Sequence, residues 1–196
     1  TYPAFEETAD AEWLKANKLN GKRTPKLPQA EIEQYRAIDD FNSFYPMEII
    51  ATQDEKDALL KARPSEKYIL FTEDHRFPIR MTTDIPYKWI EEDRHDVFTG
   101  TADKGEYYTF QLGVWAARGD VNHLKVDYSA LVNKKTGESI PASAFTCFNT
   151  GGVDVTGTVF EKDCSVPKGK VQALWIGAMV PEQLAAGMYE GTVTVS

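Results

Sequence analysis

Three clusters of neighbouring carboxylates are the residues of this chain best suited to acid–base chemistry: Asp54-Glu55, Glu73-Asp74 and Glu91-Glu92-Asp93. Glycosidic bond cleavage needs two carboxyl groups in a cleft, or one that orients a substrate acetamide. The surroundings of each cluster assign it a plainer role. Thr52-Gln53-Asp54-Glu55 spells a capping box, in which the Thr hydroxyl and the Glu carboxylate each satisfy a backbone N–H at a helix start. Acids in a first turn also favour the helix macrodipole. Glu73-Asp74 falls between two strand-like runs and reads as a turn, and Glu91-Glu92-Asp93 reads as a polar loop before Val97. Both are expected to be solvated.

The histidines are His75, His95 and His123. Asp93-Arg94-His95-Asp96 invites a metal reading, but the spacing does not set several ligands on one helix face and Arg94 would oppose a cation. His123 falls on the wet face of its strand. Gly-x-Ser-x-Gly, a Gly-rich phosphate loop and His-Glu-x-x-His do not occur. Gly151-Gly152, after Asn149-Thr150, reads as a turn needing positive φ. No catalytic residue, metal or cofactor is therefore expected within these residues.

Aromatic faces offer a second kind of chemistry, because the apolar C–H face of a sugar ring can stack on an exposed indole or phenyl ring. Trp13, Trp89, Trp115 and Trp175 are the tryptophans. Trp175 lies in a run apolar on both strand faces and reads as core, and Trp115 reads as core or interface. Trp89, after Asp84-Ile85-Pro86-Tyr87-Lys88, is the tryptophan best placed in a loop to stack or dock. The two cysteines, Cys147 and Cys164, are compatible with a disulfide closing a medium loop or with two separate buried thiols.

These residues must be positioned by elements of two kinds. Ala11 to Leu19 suits a short helix and Gly21 to Pro28 a loop, while Glu31 to Asp40 fits either period. Tyr45 to Ala51 reads as a strand, and Gln53 to Ala62 as a helix that Pro64 stops. From Lys67 onward the apolar period falls to two. Tyr68 to Phe71, Phe77 to Met81, Tyr107 to Ala116, Leu124 to Tyr128, Val153 to Val159, Val171 to Val180 and Tyr189 to Val195 read as strands. Short turns such as Lys135-Thr136-Gly137-Glu138 and Pro167-Lys168-Gly169 separate them. The expected fold is mainly β: an antiparallel two-sheet β-sandwich with one or two short helices in the N-terminal third. Residues 1–38 form a lead-in and residues 39–196 the sandwich.

The chain has 196 residues, 42% of them hydrophobic, 12% aromatic and 27% charged, which is ordinary globular composition. Its net charge of −8 disfavours a nucleic-acid partner. No stretch approaches the roughly 18 apolar residues of a membrane span. The first residue is Thr1, not Met, and Ser196 follows a strand-like run. Both ends suggest a piece of a longer chain.

Several stretches together resemble the N-terminal β-sandwich domain of secreted bacterial proteins of the glycoside hydrolase family 123 type. They are 41–49 (FNSFYPMEI), 77–81 (FPIRM), 105–115 (GEYYTFQLGVW), 145–154 (FTCFNTGGVD), 170–175 (KVQALW) and 187–193 (GMYEGTV). The resemblance spans about Asp39 to Val195. It implies a non-catalytic domain packed on a (β/α)₈ barrel that removes β-linked N-acetylgalactosamine with the help of an adjacent Asp-Glu pair. The only Asp-Glu dipeptide here is Asp54-Glu55, in the capping box, so no catalytic residue carries over. The implied partner is a C-terminal catalytic barrel of the same parent chain, and the implied location is secreted, periplasmic or cell-surface. A carbohydrate-binding module, with glycan as partner, and a cell-surface protein-interaction domain are the alternatives. Trp89, Arg80, Phe148, Asn149 and Asp154 are the candidate docking or sugar-contact residues, with Trp89 and Phe148 expected to be exposed.

Overall fold

The computed structural model describes Glu12 and residues 45–93 and 96–196. Trp13, Arg94, His95 and the elements expected over 1–11 and 13–44 lie outside the described residues.

The frame is a four-stranded antiparallel sheet. Its strands are β1 (Ile69–Asp74), β2 (Tyr107–Trp115), β6 (Phe145–Cys147) and β9 (Val171–Met179), in the order β1-β2-β9-β6. The two nine-residue strands β2 and β9 pair along their whole length, from Tyr107↔Met179 to Trp115↔Val171. Three ribbons complete the β structure. They are β3 (Val126–Tyr128) with β10 (Val193–Val195), β4 (Leu131–Val132) with β5 (Ser139–Ile140), and β7 (Gly151–Val153) with β8 (Val159–Glu161). The mainly β, antiparallel reading holds, and the β structure beyond the four-stranded sheet is divided into separate two-stranded ribbons, of which β3–β10 packs on that sheet.

Strand alternation sorts the core into two clusters. On one face Phe110, Leu112, Val114, Leu174 and Ile176 are buried with Cys147, Cys164 and Val195, and Val126, Tyr128 and Val193 of the β3–β10 ribbon pack against them. On the other face Ile69, Phe71, Trp115 and Val171 are buried with Met47, Ile85 and Trp89. That second cluster is covered by helices: a 3-10 turn (Pro46–Glu48), α1 (Gln53–Ala62) and α2 (Tyr87–Glu91). A sheet covered on both sides explains why residues 110–115 are buried without alternation.

α1 has the expected bounds, and both halves of its capping box form: Thr52 accepts from Glu55 N–H and the Glu55 carboxylate accepts from Thr52 N–H. Arg118, just beyond β2, donates to the Leu60 and Glu66 carbonyls and ties the end of α1 to the sheet.

Five expectations need correction. Val153 to Val159 is not a strand: Val153 ends β7, Val159 opens β8, and Asp154 to Thr158 make the turn between them. Tyr45 to Ala51 is not a strand. Pro46 suits the first position of a helical turn, and the segment pairs with the lead into α2 through the isolated Ile50↔Pro86 bridge. Phe77 to Met81 is irregular. Its backbone is held by the buried Gln111 amide, which accepts from Ile79 N–H and donates to the Asp74 and Phe77 carbonyls, doing the work of a paired strand. Glu73-Asp74 completes β1 and is not a turn. Gly151-Gly152 lies in β7 without positive φ; a Cβ on Gly151 would stand 2.7 Å from the Phe160 carbonyl oxygen.

Candidate docking surface

The carboxylate clusters are engaged in structure. Asp54-Glu55 stays in the cap. Glu73, expected to be solvated, is fully buried. Both its oxygens accept from Lys88 Nζ at 2.8 Å, and one also accepts from the Trp89 indole N–H at 3.1 Å. Lys88 is itself buried and lies 3.9 Å from the centre of the Phe77 ring. A buried ion pair survives only when its hydrogen bonds are made, and this one has them. Asp74 accepts from the Arg76 backbone and guanidinium, each at 2.9 Å. Partial burial alone would raise its pKa, but those bonds and the nearby His75 and Arg76 charges outweigh it, so the carboxyl is held below its ordinary range. Glu91, Glu92 and Asp93 are exposed at the end of α2.

His75 contacts the Thr109 carbonyl, and exposed His123 pairs with Asp163 at 2.9 Å. Among the described residues no group of three or more His, Cys, Asp or Glu side chains is placed to hold a metal ion. A shallow cleft of about 210 Å³ lies between α1 and the end of β2, floored by Trp115. Its one carboxylate, Asp84, is 3.6 Å from Lys56. The cleft therefore holds one ion-paired acid and not the carboxylate pair of a two-acid glycosidase.

Trp89 is not a surface residue. It belongs to α2, is 0% exposed, and stacks on Phe71 with ring centroids 4.4 Å apart. Its ring lies on Gly113, where a Cβ would come within 2.4 Å. Pro86 sets the start of α2, and burying the indole satisfies both the apolar ring and, through Glu73, its N–H. It therefore cannot stack on a sugar or dock a partner.

The exposed aromatic surface lies farther along the same sheet face. β-pairing aligns Glu73, Gln111 and Trp175 in one row and Tyr107 with Met179 in another. The Tyr107 ring lies on Gly177, where a Cβ would come within 2.4 Å. Phe148 follows β6, its N–H donating to the Trp175 carbonyl, and its ring is 6.2 Å from that of Tyr107 at an interplanar angle of 52°. Tyr107, Phe148 and Met179 are 42%, 47% and 49% exposed, and Trp175, expected in the core, is half-buried beside them. Phe148 thus has the expected exposure, and Tyr107 and Met179 join it at the surface. The alternation of Tyr107 with Tyr108 gives no sign of which ring stays outside, because that depends on how far the helix layer reaches.

The remaining candidates are structural or separate. Asn149 Oδ1 accepts from Trp175 N–H at 2.7 Å, so this side chain continues the pairing of β6 with β9. Asp154 shapes the turn between β7 and β8. Its Oδ1 accepts from the Thr156 hydroxyl and from the Thr156 and Thr158 N–H groups, and these bonds hold its pKa below the ordinary range. Arg80 is exposed over the Tyr45 ring, 5.4 Å from its centre and 3.8 Å from Glu48. Beyond Phe148 the β7–β8 hairpin exposes Val153, Val155, Val159 and Phe160.

No protein-family model and no curated protein sequence matches the chain. Among solved structures it is similar to a family 123 glycoside hydrolase from Clostridium perfringens, determined in a study of glycolipid glycan hydrolysis. The identity is 16% and the TM-score 0.47, over 67% of this chain and 24% of that one. The chain spans about a quarter of the length of that enzyme. Among the described residues no helix is long and apolar enough to cross a membrane.

Proposed function

We propose that this β-rich domain is the non-catalytic N-terminal part of a glycoside hydrolase of the β-N-acetylgalactosaminidase type, and that it packs on the catalytic barrel of the same parent chain. On this reading the parent is secreted, periplasmic or displayed at the cell surface. The observation that carries the proposal is the exposed group Tyr107, Phe148 and Met179 beside Trp175, on a sheet face whose other half is closed by helices. Aromatic and Met side chains gathered on a rigid sheet are the composition of a docking core. Interfaces between domains of one chain bury about 600–1,500 Å², and the β7–β8 hairpin would widen the contact.

The exposure of the Tyr107 and Phe148 rings favours a second reading, in which the same rings contact a glycan directly, although at 52° to one another they are not the coplanar pair of a flat sugar-stacking platform.

Hydroxyl-radical footprinting separates the two. Docking expects oxidation of Tyr107, Phe148 and Met179 to fall at least several-fold in the parent chain relative to this domain alone. The glycan reading expects protection of the isolated domain by an oligosaccharide rich in N-acetylgalactosamine. Equal oxidation under all three conditions would refute both.

A further inference from the structure

We propose that Cys147 and Cys164 are a redox pair that closes into one intramolecular disulfide at the base of the β7–β8 hairpin. The argument does not depend on the docking reading. Both thiols are reduced and buried in the structure, and both belong to the cluster between the main sheet and the β3–β10 ribbon.

The hydrogen bonds bring their backbones together. The Cys147 carbonyl accepts from Thr150 N–H, and the Thr150 carbonyl accepts from Lys162 N–H, two residues before Cys164. The hairpin ladder then runs outward from Gly151↔Glu161. Cys164 is anchored from the other side, its carbonyl accepting from Leu124 N–H. Burial raises the pKa of the Cys164 thiol first, and Cys147 is near enough to raise it further. Two thiols at the foot of one hairpin and in one buried cluster are placed to approach one another, and a bond between them requires their Cα atoms to come within about 4.4–6.8 Å.

The chemistry balances with a small disulfide as oxidant. One thiolate attacks a sulfur of glutathione disulfide and expels one glutathione thiolate. The second cysteine then attacks the mixed disulfide and expels the other. Two S–H bonds are lost, one S–S bond forms, and the oxidant is reduced to two thiols. The raised pKa makes attack slow in the folded state near neutral pH and faster as pH rises. The closed loop would hold residues 148–163, so the bond would fix Phe148 and the exposed hairpin to the core.

The test equilibrates the intact chain with glutathione buffers from reducing to oxidising, quenches in acid, unfolds the protein, alkylates free thiols and weighs it. The expected result is a two-hydrogen mass loss, no alkylation, and a tryptic fragment pair bridging Cys147 and Cys164 although the chain is cut at Lys162. Oxidation should also raise Tm by several degrees. Two alkylated cysteines in the most oxidising buffer would overturn the proposal. So would a protein that stops at glutathione adducts or forms only intermolecular dimers.

Discussion

The same sheet face contains two glycine–aromatic contacts with opposite fates. At one end the Trp89 ring lies on Gly113, and at the other the Tyr107 ring lies on Gly177; a Cβ on either glycine would come within 2.4 Å of the ring. Trp89 is completely buried, roofed by α2 and bonded to Glu73, whereas Tyr107 is 42% exposed. The local device is the same: a missing side chain lets a ring lie flat on the strands. The layer above decides whether that ring is core or surface. α1, α2 and the 3-10 turn pack over Ile69, Phe71, Trp115 and Val171. Tyr107 and Met179 lie beyond that roof.

The largest expected effect comes from removing the two rings in turn. Trp89→Ala should cost about 3–5 kcal/mol, the range for large aromatic deletions in cores, and it also takes one hydrogen bond from a buried carboxylate. Tyr107→Ala should cost under about 1 kcal/mol, as surface changes do. Urea denaturation measures both. Equal losses would mean that the open end is as tightly packed as the closed one.

A smaller contrast is expected from the glycines. Gly113→Ala must displace a ring held on both sides, and overpacking of that kind costs about 1–3 kcal/mol. Gly177→Ala lets Tyr107 swing into solvent and should stay within about 0.5 kcal/mol. The same substitution in the parent chain should also weaken docking, because the displaced ring would roughen the proposed interface. A Gly177→Ala loss as large as that of Gly113→Ala would mean that Tyr107 is held in place by this domain alone.

The smallest effect concerns acid. The Asp74 pKa lies below the ordinary carboxylate value of about 3.9. Its contribution is therefore complete above that pH and is lost as pH falls through the lowered value. Asp74→Asn should destabilise slightly at neutral pH and should flatten the stability profile below about pH 4. Unchanged acid sensitivity would assign that slope to other carboxylates.

Some of the molecule was legible from short-range pattern alone. The capping box set the start of α1 because its partners are three residues apart. The period of two located β2 and β3, since alternation is a property of the extended backbone, and a run apolar on both faces located the central strand β9. The run from Phe77 to Met81 shows the limit of that signal. Its alternation is real, yet the buried Gln111 amide takes its hydrogen bonds and no strand forms.

Residue type by itself determined that this chain makes antiparallel β structure with a capped helix, because backbone period and cap chemistry are local. Tertiary structure alone decided that Glu73 is buried, that Trp89 is core and that Tyr107 lies at the surface. Glu73 and Lys88 are fifteen residues apart, and a carboxylate can leave water only where a cation and an indole N–H arrive together. Whether an aromatic ring is roofed depends likewise on a layer supplied by distant segments, whose reach no single strand encodes.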